Sequence, residues 1–225
     1  MKCLTLIIKL SRRTTSRGQD VGVVAASLKG LVAGFIVKEA LLAEIGAREL
    51  TALRPEAPDR FLIADLRLED APDDLVEING LAGIINGVTV TWRLATSEEW
   101  RQLEGFLRSA GIRPVLSLTK YELRSLGGSA VDILEKAIKS SGVNYVYLPE
   151  EAIDVLGRLV ALAPGVNIMI EGVELGRGLC RGAKYEVIDQ GILGVEDPIG
   201  SVKMTIYRQK RASEECAGVS SPGSS

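Results

Sequence analysis

Phe61-Leu62-Ile63-Ala64-Asp65-Leu66-Arg67-Leu68-Glu69-Asp70-Ala71-Pro72 opens as an apolar run and closes in a knot of charge. The part from Phe61 to Arg67 reads as a strand. Being apolar almost without alternation, it belongs to a sheet covered on both faces. Alternation along the strand puts Asp65 and Arg67 on one face, and in a closed sheet that face points inward. A carboxylate and a guanidinium held inside a barrel need each other, because either alone carries a large desolvation cost.

Outward from this segment the same unit recurs. Strands are predicted at Cys3–Lys9, Leu31–Lys38, Phe61–Arg67, Ile84–Trp92, Pro114–Lys120, Asn144–Leu148, Asn167–Val173 and Tyr185–Ile192. Stretches of helical period lie at Asp20–Lys29, Leu41–Leu53, Asp73–Leu81, Ser97–Ala110, Ala130–Ser140, Glu151–Ala163, Arg177–Gly182 and Asp197–Lys210. In the fourth, Ser97 is the expected N-cap, Trp100, Leu103, Phe106 and Leu107 make one apolar face, and Gly111 ends the helix. Strand followed by helix through the chain is the pattern of an α/β protein with a parallel sheet, and eight such units predict a (β/α)8 TIM barrel. An open doubly wound sheet is the alternative, because the seventh unit is short and rich in glycine. One barrel domain over residues 1–214 is expected, with a disordered Gly/Ser-rich tail over 215–225; two domains of about 110 residues are the other division of this length.

The 225 residues are 46% hydrophobic, enough for one large core, and carry a formal net charge of −2. That charge supplies no basic field for nucleic acid. The apolar runs starting near Leu4 and Gly30 end at Lys9 and Lys38, far short of the roughly 20 residues a membrane span needs. The three cysteines, Cys3, Cys180 and Cys216, are odd in number and far apart, which argues against a disulfide framework or structural zinc and for a reducing cytoplasm. Arginine is commoner than lysine while asparagine and glutamine are scarce, which suggests a thermophilic source. Histidine is absent, so histidine-based triads and zinc hydrolases are excluded. The glycines Gly172, Gly176, Gly178 and Gly182 lack GxGxxG spacing and read as a tight loop. Trp92 and Trp100 read as packing residues.

Active sites of (β/α)8 barrels lie at the C-terminal ends of the strands. There this chain places Lys9, Lys38, Asp65 with Arg67 and Asp70, Thr119 with Lys120, Glu171 with Glu174, and Asp189 with Gln190. Any one of these is ordinary for a strand meeting water; the set asks for a site. Lys9, Lys38, Asp65, Arg67 and Lys120 are expected together at one mouth.

The segment Ile63 to Pro72 resembles the Asp-x-Lys-x-x-Asp signature that ends strand three in the orotidine 5'-monophosphate decarboxylase superfamily. Hexulose-phosphate synthases and ketogulonate-phosphate decarboxylases share a similar signature. Val37-Lys38 resembles the Val-Lys carrying the family's other active-site lysine, and Gly182-Ala183-Lys184-Tyr185 resembles the Gly-Ala-Asp that opens its last strand. The resemblance implies a lyase acting on a phosphorylated nucleotide or sugar, as in pyrimidine biosynthesis, with no cofactor and no metal. It implies catalytic roles for Lys38, Asp65, Arg67 and Asp70, while Lys9, Thr119, Lys120 and Gln190 at the strand ends and Arg177 in the adjacent loop are the substrate-binding candidates. It also implies a homodimer through the barrel mouth, with Asp70 working across the interface.

The departures are specific. Arg67 stands where the family has a proton-donating lysine, and arginine does not give up its proton near neutral pH. Lys9 stands at the strand-one aspartate, Asp74 at a threonine, a position near Gly176 at a loop glutamine, and Gln190 at the phosphate-binding arginine. Arg177 and Arg181 are the candidates to replace that arginine. These changes predict weak or altered activity and open a second reading, a non-catalytic ligand-binding or regulatory barrel that keeps fold and dimer. A third reading holds Mg2+ on Asp65, Asp70 and Glu171, against which the surrounding lysines argue.

Overall fold

A computed structural model of the chain describes residues 4–54, 57, 59–69 and 78–219. Among them eight parallel strands close into a barrel in sequence order. They are β1 (Leu6–Leu10), β2 (Gly34–Lys38), β3 (Phe61–Leu68), β4 (Gly87–Thr91), β5 (Arg113–Ser117), β6 (Tyr145–Leu148), β7 (Asn167–Glu171) and β8 (Tyr185–Asp189). β8 returns to β1, with Leu6 opposite Glu186 and Lys9 opposite Asp189, so the sheet has no edge and the open-sheet alternative is excluded.

Two apolar layers follow from the strand alternation. Ile7, Ile36, Phe61, Ile63, Val115, Met169 and Val187 fill the inside of the barrel. Leu6, Ile8, Phe35, Val37, Leu62, Val90 and Leu116 face outward against the helices. A Cβ on Gly34 would lie 2.3 Å from the Phe61 carbonyl oxygen, so β2 has glycine where the backbone of β3 passes closest.

The outer helices are α1 (Val21–Leu28), α2 (Glu39–Glu44), α3 (Ala47–Leu53), α4 (Trp92–Ala95), α5 (Trp100–Ser109), α6 (Lys120–Leu126), α7 (Ala130–Ser141), α8 (Ile153–Leu162), α9 (Arg177–Cys180) and α10 (Pro198–Val219). The expected Asp73–Leu81 helix falls largely outside the described residues. Of the boundaries that differ from expectation, three have a clear local cause. α5 starts at Trp100, not after Ser97, whose hydroxyl instead donates back to the Leu94 carbonyl and closes the preceding turn. β4 stops at Thr91, whose side chain caps α4, so Trp92 begins a helix. β5 stops at Ser117, and Thr119 and Lys120 belong to the start of α6. Trp100 is core, with its indole N–H donated to the Ser141 carbonyl.

The seventh unit, weakest in the sequence, is fastened by a residue that sequence reading passes over. Glu186 points out of β8 and is 1% exposed. Its carboxylate accepts from the backbone N–H groups of Gly176, Gly178 and Leu179 and from the Gln209 amide of α10. Gly176 has φ +85°, and a Cβ there would lie 2.4 Å from that of Ala212, so the loop passes α10 at a distance only glycine allows.

The cysteine reading requires correction. Cys180 and Cys216 form a disulfide joining α9 to α10. Their 36-residue separation hides the fact that α9 folds back against α10. α10 runs to Val219, through positions 215–219 where a disordered tail is expected; residues 220–225 lie outside the described set. Among the described residues no helix is long and apolar enough to cross a membrane.

Candidate functional site

The C-terminal ends of the strands open into a cavity of about 620 Å³. Lys9, Lys38, Asp65, Arg67, Ser117, Tyr147, Glu171 and Asp189 line it, joined by Lys120 and Thr119 at the start of α6 and by Glu150 and Glu151 beyond β6. Strand register places them. Lys38 lies opposite Asp65, Lys9 opposite Asp189, and Ser117 opposite Tyr147, so each pair shares the inner face of adjacent strands. Lys9, Lys38, Asp65, Arg67 and Lys120 therefore surround one space. Asp70 and Asp74 lie outside the described residues.

Asp65 and Arg67 do not form the pair that simple alternation suggests. The β3–β4 register shifts between Ala64 and Leu68, and Arg67 takes φ +54°. A non-glycine residue in this region is uncommon, and its cost must be met by the contacts it permits. Here the Arg67 N–H donates to the Thr89 hydroxyl at 2.9 Å, and that hydroxyl donates to Asp65 at 3.0 Å. The Arg67 guanidinium reaches across to Glu122 on α6 at 2.7 Å. The bulge thus re-aims the arginine.

Glu122 is the residue that most shapes this side of the mouth, and the sequence carries its signal. Thr119-Lys120-Tyr121-Glu122 is a capping-box pattern. Thr119 accepts from the Glu122 N–H, while Glu122 accepts from the Thr119 N–H and hydroxyl. Burial alone would raise the Glu122 carboxyl, but the backbone and hydroxyl bonds from Thr119 and the adjacent Arg67 outweigh it and hold the group below the ordinary carboxylate range. Thr119 is therefore engaged with its own helix, while Lys120 faces the cavity with its ammonium 5.2 Å from the Tyr121 ring centre.

On the opposite wall Lys9 donates to Glu171 at 2.5 Å and to the Tyr147 hydroxyl at 2.7 Å, and Tyr147 donates to the same Glu171 oxygen. Burial above all, then the charges of Glu171 and Asp65, push the Tyr147 phenol well above its ordinary value. It is a neutral hydrogen-bond donor at physiological pH. The inward face of β6 announces this residue through its Tyr145-x-Tyr147 alternation.

The expected phosphate side is arranged differently. Gln190 is 6% exposed, and its side-chain oxygen accepts from the Ser11 and Arg12 N–H groups at 2.6 and 3.0 Å. It clasps the loop after β1 and presents no cation. Asp189 accepts from the Gly191 N–H at 2.9 Å, so that donor is taken by the chain's own carboxylate. Arg177 lies away from the mouth cavity, in a depression with Glu174, Leu175, Ala212 and Glu215, and Arg181 caps the far end of α9. Neither lines the mouth cavity, so the expected replacement of a phosphate-binding arginine by Arg177 or Arg181 is not met there. Among the described residues no three Asp, Glu or Cys side chains are grouped as metal ligands.

Neither a family profile nor a curated protein sequence matches the chain. Solved structures do. Orotidine 5'-monophosphate decarboxylase from Sulfolobus solfataricus matches with a TM-score of 0.73 at 14% identity, over 93% of this chain and 99% of that one. The Metallosphaera sedula enzyme matches at 0.72 and 18% identity over the same shares, and that from Pyrococcus horikoshii OT3 at 0.72 and 17%, over 91% and 99%. At these identities the likeness establishes the fold.

Proposed function

We propose that this chain, which has the fold of the orotidine 5'-monophosphate decarboxylases, is a carboxy-lyase-type barrel acting on a small acidic substrate in its mouth cavity. Its activity on orotidine 5'-monophosphate itself is weak or absent. The observation that carries this reading is the register pairing of Lys38 with Asp65 on the inner faces of β2 and β3, open to the cavity. Asp65 sets a fixed negative charge where a substrate carboxylate is destabilised and its loss favoured; Lys38 is a compact ammonium able to return a proton to the carbanion. Arg67 stabilises charge but does not donate. Asp70 completes the proposed charged array. With Gln190 engaged in the β1 loop, the substrate's anionic or phosphate group is oriented toward Lys38 and Lys120, not toward β7 and β8.

A second reading, a ligand-binding barrel without catalysis, is favoured by one observation: the charges at the mouth largely satisfy one another, Arg67 with Glu122 and Lys9 with Glu171. A homodimer through the mouth and a cytoplasmic, thermophilic setting belong to the same proposal. The Cys180–Cys216 bond fits that setting, since intracellular proteins of hyperthermophiles retain disulfides.

The test is a thermal-shift screen of nucleoside monophosphates, sugar phosphates and small carboxylates. A ligand at 100 times its Kd adds about 2.7 kcal/mol, a shift of roughly 5–10 °C for a chain of this size. The shift is expected for the native chain and lost in Lys38→Met and Asp65→Asn. Equal shifts in those variants, or none with any ligand, would remove the proposal.

A further inference from the structure

The wall of the mouth formed by β1, β6 and β7 carries a group that the decarboxylase reading leaves unused. Lys9, Tyr147 and Glu171 come from three strands and meet at one carboxylate oxygen. The Lys9 side chain is 14% exposed and that of Glu171 32%, so what exposure they have is toward the cavity they line. A buried ion pair is a weak device for stability, since apolar residues of similar volume serve as well or better. An amine in direct contact with a carboxylate, which is itself fixed by a third group, is the arrangement that activates a nucleophile.

We propose that Lys9 is a Schiff-base lysine that condenses with the carbonyl group of a small acidic aldehyde or ketone held in the mouth cavity. The proton path is complete within the three residues. Glu171 takes a proton from the Lys9 ammonium, and the freed amine pair attacks the carbonyl carbon. The carbonyl π pair moves to oxygen, which takes the Tyr147 proton while Tyr147 recovers the one on Glu171. The new C–N nitrogen then returns a proton to Glu171, which passes it to the carbinol hydroxyl. The C–O bond breaks, water leaves, and the nitrogen lone pair closes the iminium. Ammonium plus carbonyl gives iminium plus water, with charge conserved and no oxidant or reductant. Tyr147 suits this role because burial and the neighbouring carboxylates keep it protonated. Lys38 and Lys120, elsewhere in the lining of the same cavity, supply positive charge for the acidic end of the substrate. The inference uses Lys9 rather than the Lys38–Asp65 pair, so the two proposals stand or fall separately.

The native chain is incubated with pyruvate or with dihydroxyacetone phosphate, reduced with sodium borohydride, and weighed by intact-mass spectrometry, with the modified peptide then sequenced. The expected result is one reduced probe per chain, placed on Lys9. Trapping falls about 100-fold in Glu171→Gln and Tyr147→Phe, the size of effect that loss of acid–base assistance produces. It is unchanged in Lys139→Met, an exposed residue paired with Glu135. Circular dichroism confirms that each variant is folded. No adduct with either probe, an adduct on another lysine, or undiminished trapping in both variants would overturn the inference; the first two outcomes do not depend on any variant folding.

Discussion

Replacing Glu122 by Gln keeps the shape of the side chain and removes its charge. One oxygen of the native carboxylate accepts from the Thr119 N–H at 2.9 Å, the Thr119 hydroxyl at 2.8 Å and Arg67 at 2.7 Å, with the side chain only 15% exposed. Hydrogen bonds to a charged group contribute about 1.5–3 kcal/mol and neutral ones about 0.5–1.5. The loss is therefore near 1 kcal/mol per bond and less than additive where three share an oxygen, about 2 kcal/mol in all, or roughly 4–8 °C in Tm. Because the folded carboxyl lies below its ordinary value, this stabilisation is fully present above the unfolded pKa of about 4.3 and is lost as pH falls through the lower folded value. Thermal melts of native and Glu122→Gln chains from neutral to acid pH should thus differ at pH 7 and converge in acid. A constant offset across the range, or no difference at pH 7, would refute the assignment.

Glu186→Ala leaves the N–H groups of Gly176 and Gly178 and the Gln209 amide without their acceptor; a loss of about 3–5 kcal/mol is expected by urea unfolding, and less than 1 kcal/mol would contradict the structure. Tyr147 should resist alkaline titration followed by ultraviolet absorbance, so the native chain should hold one more late-titrating phenol than Tyr147→Phe. Since the fold keeps the Tyr147 proton while the unfolded chain releases its own above about pH 10, stability falls from that pH upward, less so in the variant. Gln190→Arg should lower Tm by a few degrees through loss of the Ser11 and Arg12 bonds, without giving phosphomonoester binding on its own; a neutral or stabilising effect by calorimetry would disprove the clasp.

The barrel was legible because its cause is local. Apolar runs of strand length, each ending in charge, read directly off the chain, and burial on both faces of β2 and β3 is what continuous runs such as Phe35–Val37 and Phe61–Ala64 imply. The gathering of Lys9, Lys38, Asp65 and Lys120 follows from parallel strands alone, since parallel order brings every C-terminal end to one mouth. Partners were less legible. Arg67 meets Glu122 only because a register shift turns its backbone: β3 advances four residues while β4 advances two, and a two-residue shift is invisible to a pattern of period two. Glu186 looks like an ordinary polar residue, and Gln190 like a ligand-facing one, until the loops they fasten are in place. Cys180 and Cys216 are paired by packing between two helices, which spacing does not encode.

The proposed function places Lys38 and Asp65 at the reacting centre of the mouth cavity, with Arg67 and Gln190 where the family resemblance implies a proton-donating lysine and a phosphate-binding arginine. The most direct measurement is the rate at which the purified chain releases carbon dioxide from orotidine 5'-monophosphate. A turnover far below about 1 per second is predicted, because a guanidinium does not deliver the proton and the engaged Gln190 gives no cation through which remote phosphate binding reaches the reacting centre. Turnover at about 1 per second or faster would contradict it.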